Sequence, residues 1–274
     1  MMSVNGTELF VTRHGRGLPV LIFHGGGFDH TIFRRCLDPL AQTRELIYFD
    51  QRGSGRSRRD DLSAVTDRTW VEDADAIREA LGLEQLVVFG HSYGGCLAQE
   101  YALAYPQRTR GLILCGTTPA FDYPAAMMAN AQARATPQQF DAILNAFSAP
   151  VKDDRTFREA WTLIRPVYFH RYDPNIGEAL TSEVRFSAAG FNRVAFHCLP
   201  AFNTLTRLSA ITAPALVLAG ASDWITPPDH GARRLIAGIT GSSLGMFDES
   251  GHFPFAEEPE RFLSIVDGWL RGLE

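Results

Sequence analysis

The chain has 274 residues, of which 45% are hydrophobic, and its formal net charge is -5 at pH 7. This is enough apolar sequence for a large core, and no run approaches the length of a membrane-spanning helix. The acidic balance argues against nucleic acid or an anionic membrane surface as a partner.

Short apolar runs alternate with amphipathic segments along most of the chain. The predicted strands cover residues 9–11, 20–23, 45–49, 86–89, 111–115, 215–219 and 243–247. Between them, apolar residues recur at helical spacing, as in residues 70–81 and in the last helix behind Pro259. Such alternation builds a mostly parallel sheet with helices on both faces, so the predicted fold class is α/β.

A glycine-rich loop follows the predicted strand at residues 20–23. His24 is followed there by Gly25, Gly26 and Gly27. Glycine allows the backbone to approach a substrate carbonyl closely, and a loop at this place typically supplies one N-H group of an oxyanion hole. Gly26 is the predicted donor, although a glycine turn after a strand would by itself be unremarkable.

The sequence G-H-S-Y-G at residues 90–94 follows the strand at 86–89 and precedes a helical pattern. Strand, G-x-S-x-G and helix in this order are typical of a nucleophile elbow, a tight turn that exposes a strained serine. Ser92 is therefore the predicted nucleophile. The N-H group of Tyr93, the next residue, is the predicted second donor of the oxyanion hole.

Residues 120–205 interrupt the alternation of strands and helices. They contain no convincing strand and are rich in helix-forming and aromatic residues. We interpret them as a helical cap inserted into a core made of residues 1–119 and 206–274. Equal numbers of acidic and basic residues in the cap favour a pocket for a small substrate, lined by apolar or aromatic side chains.

A nucleophilic serine needs a histidine base and a carboxylate, which in this kind of protein follow in the order serine, acid, histidine. Asp223 lies in the turn after the strand at 215–219, and His252 lies in the loop after the strand at 243–247. These two residues complete the predicted triad. The competing acids and histidines are Asp229, Asp248, His24, His91, His170 and His197.

Together these motifs resemble the α/β-hydrolase family over essentially the whole chain. The sequence D-Q-R-G-S-G-R-S at residues 50–57 resembles the signature of proline iminopeptidases, as do G-H-S-Y-G-G at 90–95 and S-G-H-F-P-F at 250–255. One departure lies in the oxyanion loop, where those enzymes usually read H-G-G-P-G and this chain reads H-G-G-G-F. The resemblance implies an eight-stranded, mostly parallel sheet and a serine hydrolase that releases N-terminal proline from peptides.

An enzyme of that kind should bind the free amine of its substrate with carboxylates of the cap. The glutamates available there are Glu159, Glu178 and Glu183, and Gly25 and Trp224 are further candidates for contact with substrate. A carboxylesterase or lactonase acting on small apolar esters would need no such acids and remains the alternative. A ligand-binding sensor that keeps the fold without turnover is a second alternative.

Neither a metal nor an organic cofactor is expected. Lys152 is the only lysine, which leaves almost no candidate for Schiff-base chemistry, and no glycine-rich turn carries a phosphate-loop or dinucleotide spacing. Four cysteines, at positions 36, 96, 115 and 198, have no metal-ligand spacing. We expect a cytoplasmic enzyme with a small-molecule or short-peptide substrate and no membrane partner; the sequence leaves its oligomeric state open.

Overall fold

The computed structural model describes residues 1–274 and is built around a seven-stranded sheet. The chain starts with a separate hairpin of β1 (Met2–Val4) and β2 (Thr7–Leu9). The sheet strands are β3 (Val11–Gly15), β4 (Leu18–Phe23), β5 (Arg44–Phe49), β6 (Leu86–His91), β7 (Thr109–Cys115), β8 (Ala215–Gly220) and β9 (Ser243–Phe247). They lie in the order β3-β5-β4-β6-β7-β8-β9, and only β3 runs antiparallel to its neighbour.

The sheet thus has seven strands and not the eight that the family resemblance implied. The predicted strand at residues 9–11 is divided at Phe10, where the chain changes its pairing partner. The N-H of Phe10 donates to Ser57 Oγ at 2.9 Å, and its carbonyl accepts from the N-H of Asp50 at 3.0 Å. The residues before Phe10 pair with β1, and those after it pair with β5, so the hairpin stays outside the main sheet.

Eleven α-helices accompany the strands, and none is both long and apolar enough to cross a bilayer. They are α1 (Thr31–Leu37), α2 (Asp67–Ala80), α3 (Tyr93–Ala104), α4 (Pro124–Arg134), α5 (Pro137–Ser148), α6 (Asp154–Ile164), α7 (Pro174–Thr181), α8 (Ala188–Arg193), α9 (Ala232–Gly238), α10 (Pro254–Glu257) and α11 (Pro259–Arg271).

Both faces of the sheet are covered, because successive side chains of a strand point to opposite sides. In β4, Val20 and Ile22 belong to a buried cluster that includes residues of α1 and α11. Leu21 and Phe23 belong to a second cluster with residues of α2, α3 and α9. The parallel strands are therefore buried on both faces, which leaves their carboxyl ends as the place where loops can form a site.

Residues 120–205 lie between β7 and β8 and contain α4 to α8. The two ends of this segment meet in an antiparallel bridge between Ala120 and Asn203, and the N-H of Thr204 donates to the carbonyl of Pro119 at 2.8 Å. One turn of π-helix, Val194–Cys198, follows α8 directly. The segment thus leaves and rejoins the sheet at neighbouring points, as an insertion does.

The loop after β5 is tied to α2 by an ion pair. Arg52 donates to both carboxylate oxygens of Asp73, from Nε at 2.9 Å and from Nη2 at 2.7 Å, and Asn5 Nδ2 donates to the same carboxylate at 2.7 Å. Asp73 is fully buried, whereas the Arg52 side chain is 13% exposed. Because a bidentate pair fixes direction as well as distance, this contact orients the loop at residues 50–57.

We predict that Asp73→Ala lowers the free energy of unfolding by about 3 kcal/mol, because it leaves a partly buried guanidinium without its bidentate partner and with only Asp60, at 3.7 Å, as a counter-charge. Urea unfolding would measure this loss. The matched control is Glu72→Ala on the same helix, which removes an exposed pair with Arg68 and should change stability by less than about 0.5 kcal/mol. Equal losses in the two variants would contradict the prediction.

Candidate active site

Ser92 lies at a sharp turn between β6 and α3. Its backbone has φ +56° and ψ -126°, and besides Asn5 it is the only residue other than glycine with positive φ. The turn is possible because two neighbours lack side chains: a Cβ on Gly90 would lie 2.2 Å from the carbonyl oxygen of Gly94, and one on Gly94 would lie 2.4 Å from that of Phe23. The serine side chain is left partly exposed and makes no hydrogen bond within the protein.

Asp223 and His252 lie in the loops after β8 and β9, at the same edge of the sheet as Ser92. His252 Nδ1 lies 2.7 Å from Asp223 Oδ2, and both residues are buried. The carboxylate also accepts from the N-H groups of Ile225 and Thr226, each at 3.0 Å, and from the Thr226 hydroxyl at 2.6 Å. These bonds hold the carboxylate in one orientation against the imidazole.

Burial alone would raise the pKa of Asp223, but the neighbouring His252 and the donors of Thr226 outweigh burial and lower the pKa below its ordinary value. The acid is therefore ionised at neutral pH, where it accepts a proton of the histidine in a hydrogen bond. This fixes the tautomer of His252 with the proton on Nδ1 and leaves Nε2 free to act as a base.

Two of the competing histidines have contacts that suit a structural role. His91 is buried, and burial lowers its pKa to about 3, so it is uncharged at neutral pH; its Nε2 lies 2.9 Å from the carbonyl of His252. His24 Nε2 accepts from the N-H of Gln51 at 3.0 Å, and the Gln51 side chain in turn bonds both backbone groups of His24. The His24–Gln51 contacts join the glycine loop to the loop after β5.

The two backbone N-H groups predicted for the oxyanion hole come from different elements. Tyr93 is the first residue of α3, so its N-H has no partner within the helix, and Gly26 belongs to the loop after β4. Both residues border the same cavity as Ser92 and His252. The tyrosine side chain itself points away from this group and is hydrogen-bonded to Asp67.

The departure from H-G-G-P-G has a conformational reason. Gly27 has φ +80°, which proline cannot adopt because its ring fixes φ near -65°. A Cβ at this position would lie 2.6 Å from the Phe157 ring and 2.8 Å from Phe191 Cβ. The oxyanion loop of this chain is thus shaped to pack directly under two aromatic residues of the segment 120–205.

A cavity extends from Ser92 and His252 between the sheet edge and the segment 120–205. Most of its lining is apolar, and no aspartate, glutamate, arginine or lysine contributes to it. The aromatic lining residues are Phe28, Phe121, Tyr123, Phe147, Phe157, Trp161, Tyr168, Phe191 and Phe253. Such a cavity favours an uncharged, apolar ligand.

The structure places the three cap glutamates that were predicted to contact substrate on the surface. Glu159, Glu178 and Glu183 do not line the cavity. The side chain of Glu159 is 64% exposed and pairs with Arg155, and that of Glu178 is 69% exposed and pairs with Arg165. Glu159 and Glu178 lie on the outer faces of α6 and α7 because apolar residues of these helices occupy the inner faces, and Glu183 is exposed after the end of α7.

Of the two weaker candidates for contact with substrate, one borders the cavity and the other does not. A Cβ on Gly25 would lie 3.3 Å from Ser92 Cβ, so the loop passes directly beside the serine. Trp224 is 1% exposed, stands outside the cavity and packs its ring 5.0 Å from that of Tyr168. Hydrogen bonds of Ile225 and Thr226 to Asp223 turn the chain so that those two residues face the cavity while Trp224 points into the core.

Sequence reasoning missed Glu257, in α10. One carboxylate oxygen accepts from the N-H of Gly251 at 2.8 Å, and the other accepts from the N-H of His170 at 2.6 Å. In the same place, the N-H of His252 donates to the carbonyl of Tyr168 at 2.7 Å. The histidine loop is therefore bound to residues 168–170, and no motif in the sequence signals this contact.

A further acidic and histidine-containing cluster, Asp29, His30 and Asp50, could hold a metal ion by proximity alone. Its ligand atoms already accept hydrogen bonds. Asp50 accepts from His30 and from the N-H of Arg56, and Asp29 accepts from Thr31 and from the N-H of Arg185. These contacts stabilise the start of α1 and join it to the loop after β5.

We predict that Gly27→Ala lowers the free energy of unfolding by about 3 kcal/mol, because it combines an unfavourable backbone conformation with overlap against Phe157 and Phe191. Chemical denaturation would measure it. Gly241→Ala is the matched control: Gly241 also has φ +74°, but a Cβ there meets nothing within 4 Å, so only the conformational cost of about 1 kcal/mol should remain. If the control is affected as much as Gly27→Ala, the aromatic contact does not constrain the loop.

Burial raises the pKa of Glu257 from 4.5 to about 7, so the folded protein binds a proton there more tightly than the unfolded chain does. The stability gained from this proton is fully present below pH 4.5 and is lost as the pH rises through 7. We predict that the free energy of unfolding of the wild type, relative to Glu257→Gln, falls across this range and then levels.

Thermal or urea unfolding at a series of pH values measures this difference. The exposed Glu260→Gln substitution in α11 reports the general effect of removing a glutamate. A difference between wild type and Glu257→Gln that stays constant from pH 4.5 to above 7 would contradict the assignment.

Comparison with known proteins agrees with this architecture. Residues 19–259 match the family model of the alpha/beta hydrolase fold. The proline iminopeptidase of Clostridium botulinum is 30% identical over 278 residues, which cover 93% of this chain and 90% of that protein. The structure of a thermophilic esterase from Thermogutta terrifontis superposes with a TM-score of 0.76 at 27% identity, over 99% of this chain and 96% of that chain.

A proline iminopeptidase structure from Mycobacterium smegmatis has the same fold, with a TM-score of 0.80 at 21% identity, over 99% of this chain and 97% of that one. The family resemblance predicted from the sequence motifs is thereby confirmed, and peptidases and esterases both occur among the relatives. The chain belongs to the α/β-hydrolase family and is a hydrolase.

Proposed function

We propose that the protein cleaves small, uncharged esters or lactones through an acyl-enzyme formed on Ser92. The observation that carries this proposal is the lack of any charged aspartate, glutamate, arginine or lysine side chain in the lining of the cavity at Ser92. Removing a charged group from water without a partner costs several kcal/mol, so such a lining selects against a charged acyl or amine group. A neutral acyl group loses little hydration free energy when it enters this cavity.

In the proposed reaction, Ser92 Oγ attacks the ester carbonyl while its proton passes to Nε2 of His252. Asp223 stabilises the imidazolium that forms, through its bond to Nδ1. The tetrahedral oxyanion is stabilised by the N-H groups of Gly26 and Tyr93. When the intermediate collapses, the C–O bond to the alcohol breaks, and the alcohol takes the proton from His252. A water molecule, activated by the same histidine, then releases the acid from Ser92.

The apolar lining also supports catalysis. Hydrogen bonds from the two N-H groups act more strongly on a developing negative charge where few competing dipoles are present. Loss of one such donor typically costs about 2.7 to 4 kcal/mol of transition-state stabilisation. Ser92 Oγ is unbonded in the free protein, which is compatible with this role because catalytic contacts often tighten only when substrate is bound.

Release of N-terminal proline is a second candidate, favoured by the similarity to the Clostridium botulinum proline iminopeptidase over 93% of this chain. Its substrate carries a protonated amine. In place of carboxylates the cavity offers aromatic rings, including Trp161 and Tyr168, and a cation can be held over the face of such rings. We rank this activity below ester cleavage because an amine buried here would have no counter-charge.

All four cysteines are unpaired, and three of them are buried. This supports our proposal of a cytoplasmic location, because disulfides are rare in reducing compartments.

The decisive experiment compares hydrolysis of a p-nitrophenyl ester series from acetate to octanoate with hydrolysis of proline p-nitroanilide. We expect turnover of the short and medium esters, and a loss of at least about 1,000-fold in kcat for Ser92→Ala. The variant should keep the circular dichroism and thermal stability of the wild type, because the Ser92 hydroxyl has no bond to lose.

Each other outcome points to a different activity. Ser92-dependent release of p-nitroaniline from the free amine substrate, abolished when the amine is acylated, would replace the ester proposal by an aminopeptidase. Absence of turnover together with failure of a fluorophosphonate probe to label Ser92 in the folded protein would favour a ligand-binding sensor.

A further inference from the structure

Besides Ser92 Oγ, three aromatic residues of this mostly apolar cavity carry a polar group without a hydrogen-bond partner in the protein: Tyr123, Trp161 and Tyr168. Of these, Trp161 and Tyr168 lie beside His252. Trp161 is only 2% exposed, and its Nε1 is buried without a hydrogen-bond partner. Tyr168 is 6% exposed, burial raises the pKa of its hydroxyl, and this hydroxyl also makes no hydrogen bond within the protein. Both residues line the cavity that contains Ser92 and His252.

The two side chains lie next to each other and next to the histidine. The ring centroids of Trp161 and Tyr168 are 4.8 Å apart, and those of Tyr168 and His252 are 5.7 Å apart. Tyr168 is held there by its own backbone, because its carbonyl accepts the N-H of His252 at 2.7 Å. The pair is thus fixed on the side of the cavity that His252 occupies.

Chemistry limits what such a pair can bind. An indole N-H donates and cannot accept, and a phenol can donate a second hydrogen bond to the same place. The matching ligand group is an acceptor, which excludes an ammonium group as the partner of Trp161. Burial of an unpaired donor costs about 1–3 kcal/mol, so a ligand that supplies an acceptor is favoured over a hydrocarbon of the same shape.

We propose that Trp161 and Tyr168 form a subsite for a second uncharged oxygen of the substrate, an ether, carbonyl or hydroxyl oxygen in its alcohol portion. The alcohol is assigned because His252 must reach the leaving oxygen to protonate it, and Tyr168 is adjacent to His252. The inference rests on the proposed ester hydrolysis and deepens it: the preferred substrates are esters or lactones whose leaving group carries an oxygen function.

The test uses esters that differ in one atom. For each pair, 2-methoxyethyl against n-butyl butyrate and 3-methoxypropyl against n-pentyl butyrate, the ratio of kcat/KM values is measured for wild type and Tyr168→Phe. The substitution removes a single oxygen from the side chain. We expect the wild type to prefer the oxygenated member of at least one pair, and Tyr168→Phe to reduce that ratio about 5- to 10-fold. Tyr172→Phe, in the same segment but with its hydroxyl bonded to Arg165, should leave the ratio unchanged.

Comparing this ratio between wild type and Tyr168→Phe cancels the difference in intrinsic reactivity between the two alcohols, which each ratio by itself contains. A ratio within twofold of wild type in Tyr168→Phe would overturn the subsite while leaving the ester proposal intact, as would an equal loss on both esters.

A binding measurement keeps the inference testable without turnover. The same esters are titrated into Ser92→Ala and into Ser92→Ala/Tyr168→Phe by calorimetry. Tighter binding of a methoxy ester that depends on the Tyr168 hydroxyl supports the subsite. Binding without preference overturns the subsite alone, and no binding of any ester overturns both the subsite and the ester proposal.

Discussion

The strained backbone at Ser92 is the constraint around which the rest of the site is arranged. A left-handed conformation at a residue with a side chain is unfavourable by about 1–3 kcal/mol and persists only if its surroundings enforce it. Here β6, α3 and the loop after β4 enforce it by approaching so closely that Gly90 and Gly94 have no room for a Cβ. The same close approach brings the glycine loop beside Ser92, so that Gly26 and Tyr93 border one cavity with it. In the proposed mechanism, the turn that exposes the nucleophile therefore also places the donors near it.

Charge is confined to one side of the serine. Asp223, with its three donors, stands behind His252 and is shielded from the cavity by it, whereas the surfaces that would face a substrate are apolar. With this separation, the pair Asp223–His252 can remain fixed, while in our proposal recognition depends on the shape of the cavity and on a few unpaired donors. It also explains how relatives named as peptidases and as esterases can share one framework, since the residues behind the histidine need not change when the cavity does.

Much of the framework could be predicted from the sequence because it depends on local rules. Apolar runs gave the strands to within one or two residues, and the glycines at 25–27 and 90–95 occur where the chain must bend sharply. The prediction of a strand at residues 9–11 was wrong in its extent, because the pairing at Phe10 depends on Ser57 and Asp50, which are distant in sequence. The position of the cap glutamates could not be predicted for a related reason: composition shows that a segment contains an acid, and only packing shows which face the acid occupies. No sequence motif indicated the role of Glu257, since its hydrogen-bond partners are backbone N-H groups, which every residue type can supply except proline.

The hydrogen bond from the His252 amide to the Tyr168 carbonyl has a consequence for how this enzyme can change. In many modular proteins a recognition segment can be exchanged without touching the machinery beneath it. Here the carbonyl of Tyr168 accepts the N-H of His252, and the N-H of His170 donates to Glu257 of α10. Residues 168–170 therefore contact both the histidine loop and α10. A chimaera that receives a foreign segment in place of residues 120–205 must therefore also recreate an acceptor at that point. Without this acceptor, the imported segment would alter the position of His252 as well as the choice of substrate. Gradual substitution along the cavity wall is therefore an easier evolutionary route than exchange of the whole segment.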